Sequence, residues 1–302
     1  MAAFVDDIRH RFIPTYGAIG WLIVINVGVY VALSVAYVLL FLLGQQHLFY
    51  TVYGYLALPT HLASLLAQPW SLFTYMWVHD MRTTVMGSVF HILFNMLWLY
   101  WVGGRILRPY QPDRRIWFLF VAGALCGACL TLLAYNLLPV FAGQRGTMVG
   151  ASAGVTAIMV AAATLLPNTA LHLLFFGTVR LVWLVAAFLF IDFLSIAMSG
   201  NKGGVIAHLG GALFGYLYMR SVKSGHDWGQ PFFRLFSRRR RRSPLKIVAK
   251  KKAGVPQTGT YAGKPGKPSQ AEVDRILDKI AKVGYEKLTQ EEKQILFDAS
   301  RA

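Results

Sequence analysis

The chain has 302 residues, of which 56% are hydrophobic and only 14% charged, with a formal net charge of +17; its mean hydropathy is +0.48. This is more apolar material than a water-soluble core of that length buries, so an ordinary soluble globular domain is excluded and a polytopic membrane protein is predicted.

Crossing a hydrocarbon core takes about 20 apolar residues, and inside lipid every backbone polar group must be paired within a helix or a closed barrel. The N-terminus, MAAFVDDIRHRFIP, carries acidic residues and no short apolar stretch with a small-residue cleavage site. It reads as a cytoplasmic segment over 1–16, not as a removable signal peptide. Roughly six apolar runs follow: Gly20 to Leu43, Val89 to Leu107, Ile116 to Leu138, Val149 to Leu166, Leu181 to Met198, and Val205 to Met219. None alternates as a transmembrane strand does, so the expected fold class is all-α, a bundle of six transmembrane helices over 17–222.

Between the first two spans, Gly44 to Ser88 is rich in aromatic residues and histidine (Trp70, Phe73, Tyr75, Trp77, His79), which predicts a loop resting in the headgroup region. Cys126 and Cys129 form a C-x-x-C pair inside the third span. On a lipid-embedded helix they read as small packing residues in preference to a redox pair. Arg9 and Arg11 precede the first span, Arg105, Arg108, Arg114 and Arg115 join the second to the third, Arg180 precedes the fifth, and Arg220 and Lys223 follow the sixth. The opposite connections offer only Arg82, Arg145 and Lys202, so the positive-inside rule puts both termini in the cytoplasm.

After the last span, residues 223–268 read as a basic, flexible linker rich in Lys, Gly and Pro. Its cluster Arg238 to Arg242 lies just inside the membrane, where anionic inner-leaflet lipids are the expected partner and nucleic acid is not. Over 269–302, Ser269 with Glu272 and Thr289 with Glu292 each fit a capping box, and Val273, Ile276, Leu277 and Ile280 make one apolar stripe. Two short helices around Gly284 are predicted, serving as an adaptor for a cytoplasmic partner or as a folding cap.

Three of the spans carry polar residues that lipid makes costly. TMVGASAGVTAIM, Thr147 to Met159, sets Ser152 among small residues. Taken alone, Gly150 and Gly154 form a small-x-x-x-small pair that close helix packing explains. The sixth span, GVIAHLGGALFGYLY, places His208 ahead of Gly211 and Gly215 on one face, and small faces on both spans let a short serine side chain reach an imidazole. In the second span, HILFNMLWLY, His91 and Asn95 share a face at i and i+4. Without an acidic residue or second histidine at a useful spacing they suit an oxyanion better than a metal, so neither metal nor cofactor is expected. With the N-terminus inside, His91, Ser152 and His208 all fall in the first turns of their spans, within about 10 Å of the outer boundary. Asp192, the acidic residue within the fifth span, sits deeper than His208 on these boundaries. It reads as a polar tether between helices in preference to a catalytic group.

HILFNM, GASAG and AHLGGALFG, in that order on alternate spans, together with the loop stretch PWSLFTYMWVH, resemble the signatures of the rhomboid intramembrane serine proteases over about Gly17 to Arg220. The resemblance implies a dyad of Ser152 and His208 and an oxyanion site made by the backbone N–H of Ser152 with His91 and Asn95. It further implies single-pass membrane proteins as substrates, entering between spans two and five and cut near the outer face, with a bacterial inner membrane as the setting. The chain departs from the family pattern at Ala153 (usually Gly), Thr156 (usually aromatic), Ser71 (usually Arg) and Arg108 (often acidic). The alternative reading is a non-catalytic relative that binds transmembrane helices. A small-solute channel would want broken spans in paired halves or more buried charge.

Overall fold

The computed structural model describes residues 2–173, 177–198, 201–236 and 269–300. It divides into a unit of residues 1–240 and a unit of residues 241–302. In the first unit the six long helices are α1 (Ile13–Leu42), α2 (Val85–Trp98, continued by wider π-helical turns over Leu99–Leu107), α3 (Asp113–Leu137), α4 (Ser152–Leu165), α5 (Leu181–Ser195) and α6 (Lys202–Lys223). The fold is the helical membrane bundle that the composition predicts, and the protein is an integral membrane protein.

The helices are unequal. Among the described residues, Val5–Leu42, Val85–Tyr110 and Asp113–Leu137 are long and apolar enough to cross a membrane. α4 and α5 have 14 and 15 residues, and at 1.5 Å per residue they reach only about 21 and 23 Å of a hydrocarbon core of about 30 Å. The reason is visible for α4: every residue from Ala153 to Ala163 is buried. A helix wrapped by protein on all sides has no lipid to span.

Its boundaries also shift the sequence expectations. α4 starts at Ser152, three residues after Val149, because Gly150 turns the chain with φ +135 and donates its N–H to Tyr75 O at 3.0 Å. Gly150 and Gly154 are therefore not a helical packing pair. Gly154 alone serves contact, since an added Cβ would stand 2.6 Å from Phe120 O on α3. α5 ends at Ser195 and α6 begins at Lys202, each three residues short of or ahead of its predicted end.

Glycines set how closely α3, α4 and α6 meet. A Cβ on Gly127 of α3 would lie 2.6 Å from Ala207 O and 2.7 Å from Ala153 Cβ, and one on Gly211 or Gly215 of α6 would overlap the carbonyl oxygens of Ala153 and Ala157 on α4. Backbones in van der Waals contact replace the missing hydrophobic drive between helices in lipid. Gly127 also explains how Ala153 is tolerated: its methyl group points into the space that glycine leaves open.

The segment between α1 and α2 is folded. A helix over Gln46–Leu56 packs Phe49 against Tyr37 of α1, at 5.0 Å between ring centroids, and leaves Leu48, Tyr50, Val52 and Tyr55 exposed. Further on, Trp70 donates Nε1–H to Tyr55 O at 2.9 Å, and the buried Tyr75 hydroxyl donates to Ala124 O on α3. Leu58–Pro59 pairs antiparallel with Thr147–Met148, tying this segment to the chain that leads into α4. At the opposite end, Gly17 adopts φ +51 inside α1, and a Cβ there would overlap the Asp113 carboxylate at the start of α3. Arg108 bonds Thr15 O at 2.6 Å and pairs with Asp113 at 3.4 Å, so its charge has a partner where the family often carries an acid.

The ordered chain runs past 222, into the stretch expected to be linker. Asp227 accepts hydrogen bonds from Tyr218 (2.6 Å), Arg115 (2.8 Å) and the Gly229 N–H (3.0 Å), and a helix over Gln230–Phe236 sets Phe232 and Phe233 against Phe118 of α3. Burial alone would raise the Asp227 carboxyl, but the bonds from Tyr218 and Arg115 hold it below the usual range. Aromatic residues at 232 and 233 supply the apolar face that a Lys, Gly and Pro-rich linker lacks. Arg238 to Arg242 lie outside the described residues.

In the second unit, α7 (Gln270–Val283) begins with the capping box of Ser269 and Glu272. α8 (Gln290–Ser300) begins with reciprocal bonds between Thr289 and Glu292, at 2.9 and 3.3 Å. Gly284 takes φ +82 after α7, Ile276 and Leu288 are buried, and Lys279 pairs with Glu292 at 2.8 Å.

Candidate functional site

Ser152 is the first residue of α4, so its own N–H and those just after it have no acceptor within the helix. The positive end of the helix dipole is concentrated there, inside the bundle. His91 lies six residues into α2 and His208 six residues into α6, each about 9 Å below the helix start. α4 must therefore begin at that depth for the three to meet.

They do meet. Ser152, His91, Asn95 and His208 line one cavity of about 170 Å³, walled by Trp98, Thr156, Met159 and Phe188. A Cβ built on Gly150 would stand 3.4 Å from Ser152 Oγ and 3.6 Å from His91 Nε2, so the serine hydroxyl and the edge of His91 flank one spot beside the turn. Asn95 is buried and donates one Nδ2 hydrogen to His91 O at 2.8 Å, which leaves its second hydrogen free to donate. Among the described residues no hydrogen bond joins Ser152 Oγ to His208; such bonds tighten when a substrate fills the site.

His208 is held from α5. Asp192 Oδ2 lies 2.5 Å from His208 Nδ1, and the Phe188 ring stands 6.0 Å from the imidazole at 33°. Phe188 thus offers the aromatic surface that Thr156 does not. Thr156 is buried and donates to Ser152 O at 2.8 Å on its own helix. The depth expected for Asp192 is corrected: with α5 ending at Ser195, Asp192 is about 5 Å from its end, no deeper than His208, and their 2.5 Å contact sets the two side by side.

Behind His91 stands His79, fully buried, with 5.6 Å between the ring centroids at 70° and with Tyr30 on another side at 6.3 Å. Neither ring nitrogen of His79 makes a well-formed hydrogen bond, and burial, then the neighbouring His91, pushes its imidazole down to about 3 against a weaker opposing contact with the Trp77 backbone. It is a neutral wall, and no third His, Cys, Asp or Glu joins the two rings among the described residues. Sequence reasoning placed His79 only among the loop aromatics. Neither its contact with His91 nor the role of Phe188 has a signature in spacing.

A larger cavity, about 340 Å³, opens between α4, α5 and α6 toward Arg220 and Lys223. Its walls are mostly apolar residues such as Val160, Val185 and Leu189, joined by Thr164, Tyr216, Arg220 and Lys223, and it holds no histidine, cysteine or carboxylate. The free thiols of Cys126 and Cys129 face neither cavity.

Fold and site together define a helical membrane protein with a polar constellation recessed inside its bundle. Residues 66–224 match the Rhomboid domain, which is more than half of the sequence, and the chain belongs to the rhomboid family. RHOMBOID-like protein 12, mitochondrial, of Arabidopsis thaliana is 32% identical over 160 residues, covering 49% of this chain and 47% of that relative. The chain thus spans about half the length of the curated relative it matches. Residues 267–302 separately match a family of unknown function, DUF6576.

Proposed function

We propose that this protein is an intramembrane serine endopeptidase that cleaves transmembrane segments near the outer face of the membrane, with both termini cytoplasmic. The observation that carries the reading is the meeting of Ser152, at the bare N-terminus of α4, with His91, Asn95 and His208 around one recessed cavity.

In this mechanism His208 Nε2 takes the proton of Ser152 as Oγ bonds to the scissile carbonyl carbon. The charge that develops on the carbonyl oxygen is met by the Ser152 N–H, His91 and the free hydrogen of Asn95, all fixed before reaction. His208 then gives its proton to the leaving amine as the C–N bond breaks, and a water deprotonated by His208 hydrolyses the acyl-enzyme. A helical peptide bond is shielded by its own hydrogen bonds, so substrates with Gly, Pro or small residues near the cut are favoured. Entry between α2 and α5 fits the one ring contact between these helices among the described residues, Trp98 with Phe188 at 6.5 Å, both of which line the cavity, and the exposure of Phe190, Ile191 and Leu194 on α5.

The test is a fluorophosphonate probe, which labels an activated serine whatever the substrate. Purified protein is expected to label and to cleave a model transmembrane substrate, and Ser152→Ala to do neither while staying folded. A folded wild type that neither labels nor cleaves would leave the non-catalytic helix-binding reading.

A further inference from the structure

We propose that Asp192 is the positioning carboxylate of His208, so that the site works as a Ser152, His208 and Asp192 triad and not as a bare dyad; the inference rests on the protease reading above. A dyad leaves the imidazole free to rotate and to place its proton on either nitrogen. Here the Asp192 carboxylate meets Nδ1 at 2.5 Å, which fixes the proton there and turns the Nε2 lone pair toward the cavity that holds Ser152. Phe188, one turn before Asp192 on the same helix, covers the ring, so α5 alone sets both its tilt and its tautomer.

A tether between helices does not account for this pairing. Ionised groups inside a membrane are expensive, and two helices can be joined at lower cost through Ser, Thr or Asn. Thr131 does this on α3, donating to Gly203 O of α6 at 3.1 Å. Asp192 forms no ion pair with Arg or Lys among the described residues; its hydrogen-bond partner is His208. Both side chains are mostly buried, 18% exposed for His208 and 16% for Asp192, where water screens little and an imidazolium formed during reaction is stabilised most. When His208 accepts the Ser152 proton at Nε2, Nδ1–H stays in place and the carboxylate keeps its charge. No proton passes to Asp192.

The experiment uses full-length protein, wild type, Asp192→Asn and Asp192→Glu, at matched folded concentration. Asn preserves size but its amide can donate to Nδ1, leaving the proton on Nε2, where it blocks base catalysis. Asp192→Asn is expected to lower kcat roughly 100- to 10,000-fold with KM unchanged, and Asp192→Glu to recover part of the loss. Nitrogen-15 NMR of histidine-labelled protein gives a readout apart from turnover: the Nδ1–H tautomer of His208 in wild type, lost in Asp192→Asn. Wild-type kcat in Asp192→Asn, or an unchanged tautomer, would overturn the assignment. Should the wild type itself neither label nor cleave, the protease reading falls, and the ring spectrum alone decides the positioning.

Discussion

Gly211 of α6 rests directly on the carbonyl oxygen of Ala153, the residue after Ser152. This contact sets the separation of the two helices that carry the serine and the histidine. A methyl group at 211 meets backbone that cannot rotate away, so Gly211→Ala is expected to cost stability at the upper end of overpacking, about 3 kcal/mol, and to move His208 from the cavity. Thermal midpoint in detergent together with probe labelling checks this. A variant with wild-type stability and labelling would show that the approach is slack.

The site was legible in the sequence where residue type alone carries it. Serine, histidine and asparagine are costly in lipid, so Ser152, His208, His91 and Asn95 stood out on apolar helices and led to one cavity. Hydropathy could not locate the ends of α4 and α5, because loop residues such as Val149 and Met198 are as apolar as the spans they adjoin, nor the start of α6, because its first turn is made by Lys202, Gly203 and Gly204 ahead of the apolar run. Three residues at the end of α5 and three at the start of α6 decide whether Asp192 lies below His208 or beside it. Gly150 shows the same limit: a glycine at helical spacing from Gly154 reads as packing until the φ of +135 shows it to be the turn that exposes Ser152.

Asn95 and Asn26 are both buried, each donating from Nδ2 to the carbonyl four residues earlier, at 2.8 Å. Only Asn95 borders the cavity. Asn95→Ala is expected to lower kcat by about 10- to 1,000-fold, the common cost of losing one oxyanion donor, while Asn26→Ala affects stability alone. Steady-state turnover at matched folded concentration distinguishes them, and equal losses would remove Asn95 from the oxyanion site.

His79 should govern acid stability. Its value in the fold, about 3, lies below the ordinary 6.5, so the neutral ring stabilises the fold fully above pH 6.5. That contribution is lost as pH falls from 6.5 toward 3, because the unfolded chain takes up the proton first, at about 1.4 kcal/mol per pH unit. His79→Phe removes the titration and sacrifices only a weak contact with the Trp77 backbone, since neither ring nitrogen makes a well-formed hydrogen bond. Melting curves between pH 7 and pH 4 are expected to separate the two proteins at the acid end, with the Phe variant higher. Parallel curves would contradict the neutral-wall assignment.

The chain beyond α6 contains two boundaries with different consequences. Asp227, with its side chain only 6% exposed, joins Arg115 and Tyr218, and Phe233 packs against Phe118, so residues up to 236 complete the end of the bundle that carries Arg115. Nothing in the proposed reaction uses residues after 236. Truncation after Phe236 is expected to keep both the thermal midpoint and turnover of a generic substrate in detergent. Truncation after Ser224 removes the carboxylate partner of Arg115, leaving its bond to Gln111 at 3.1 Å, and uncovers the side of Phe118 that Phe232 and Phe233 pack against. It should lower the midpoint as Asp227→Ala does, with a stability loss of about 1 to 3 kcal/mol, since the pair is charge-assisted but its Arg115 side chain stays partly exposed and keeps Gln111. If the cut after Phe236 abolished turnover while the bundle stayed folded, α7 and α8 would belong to the working enzyme and the boundary at 236 would be wrong.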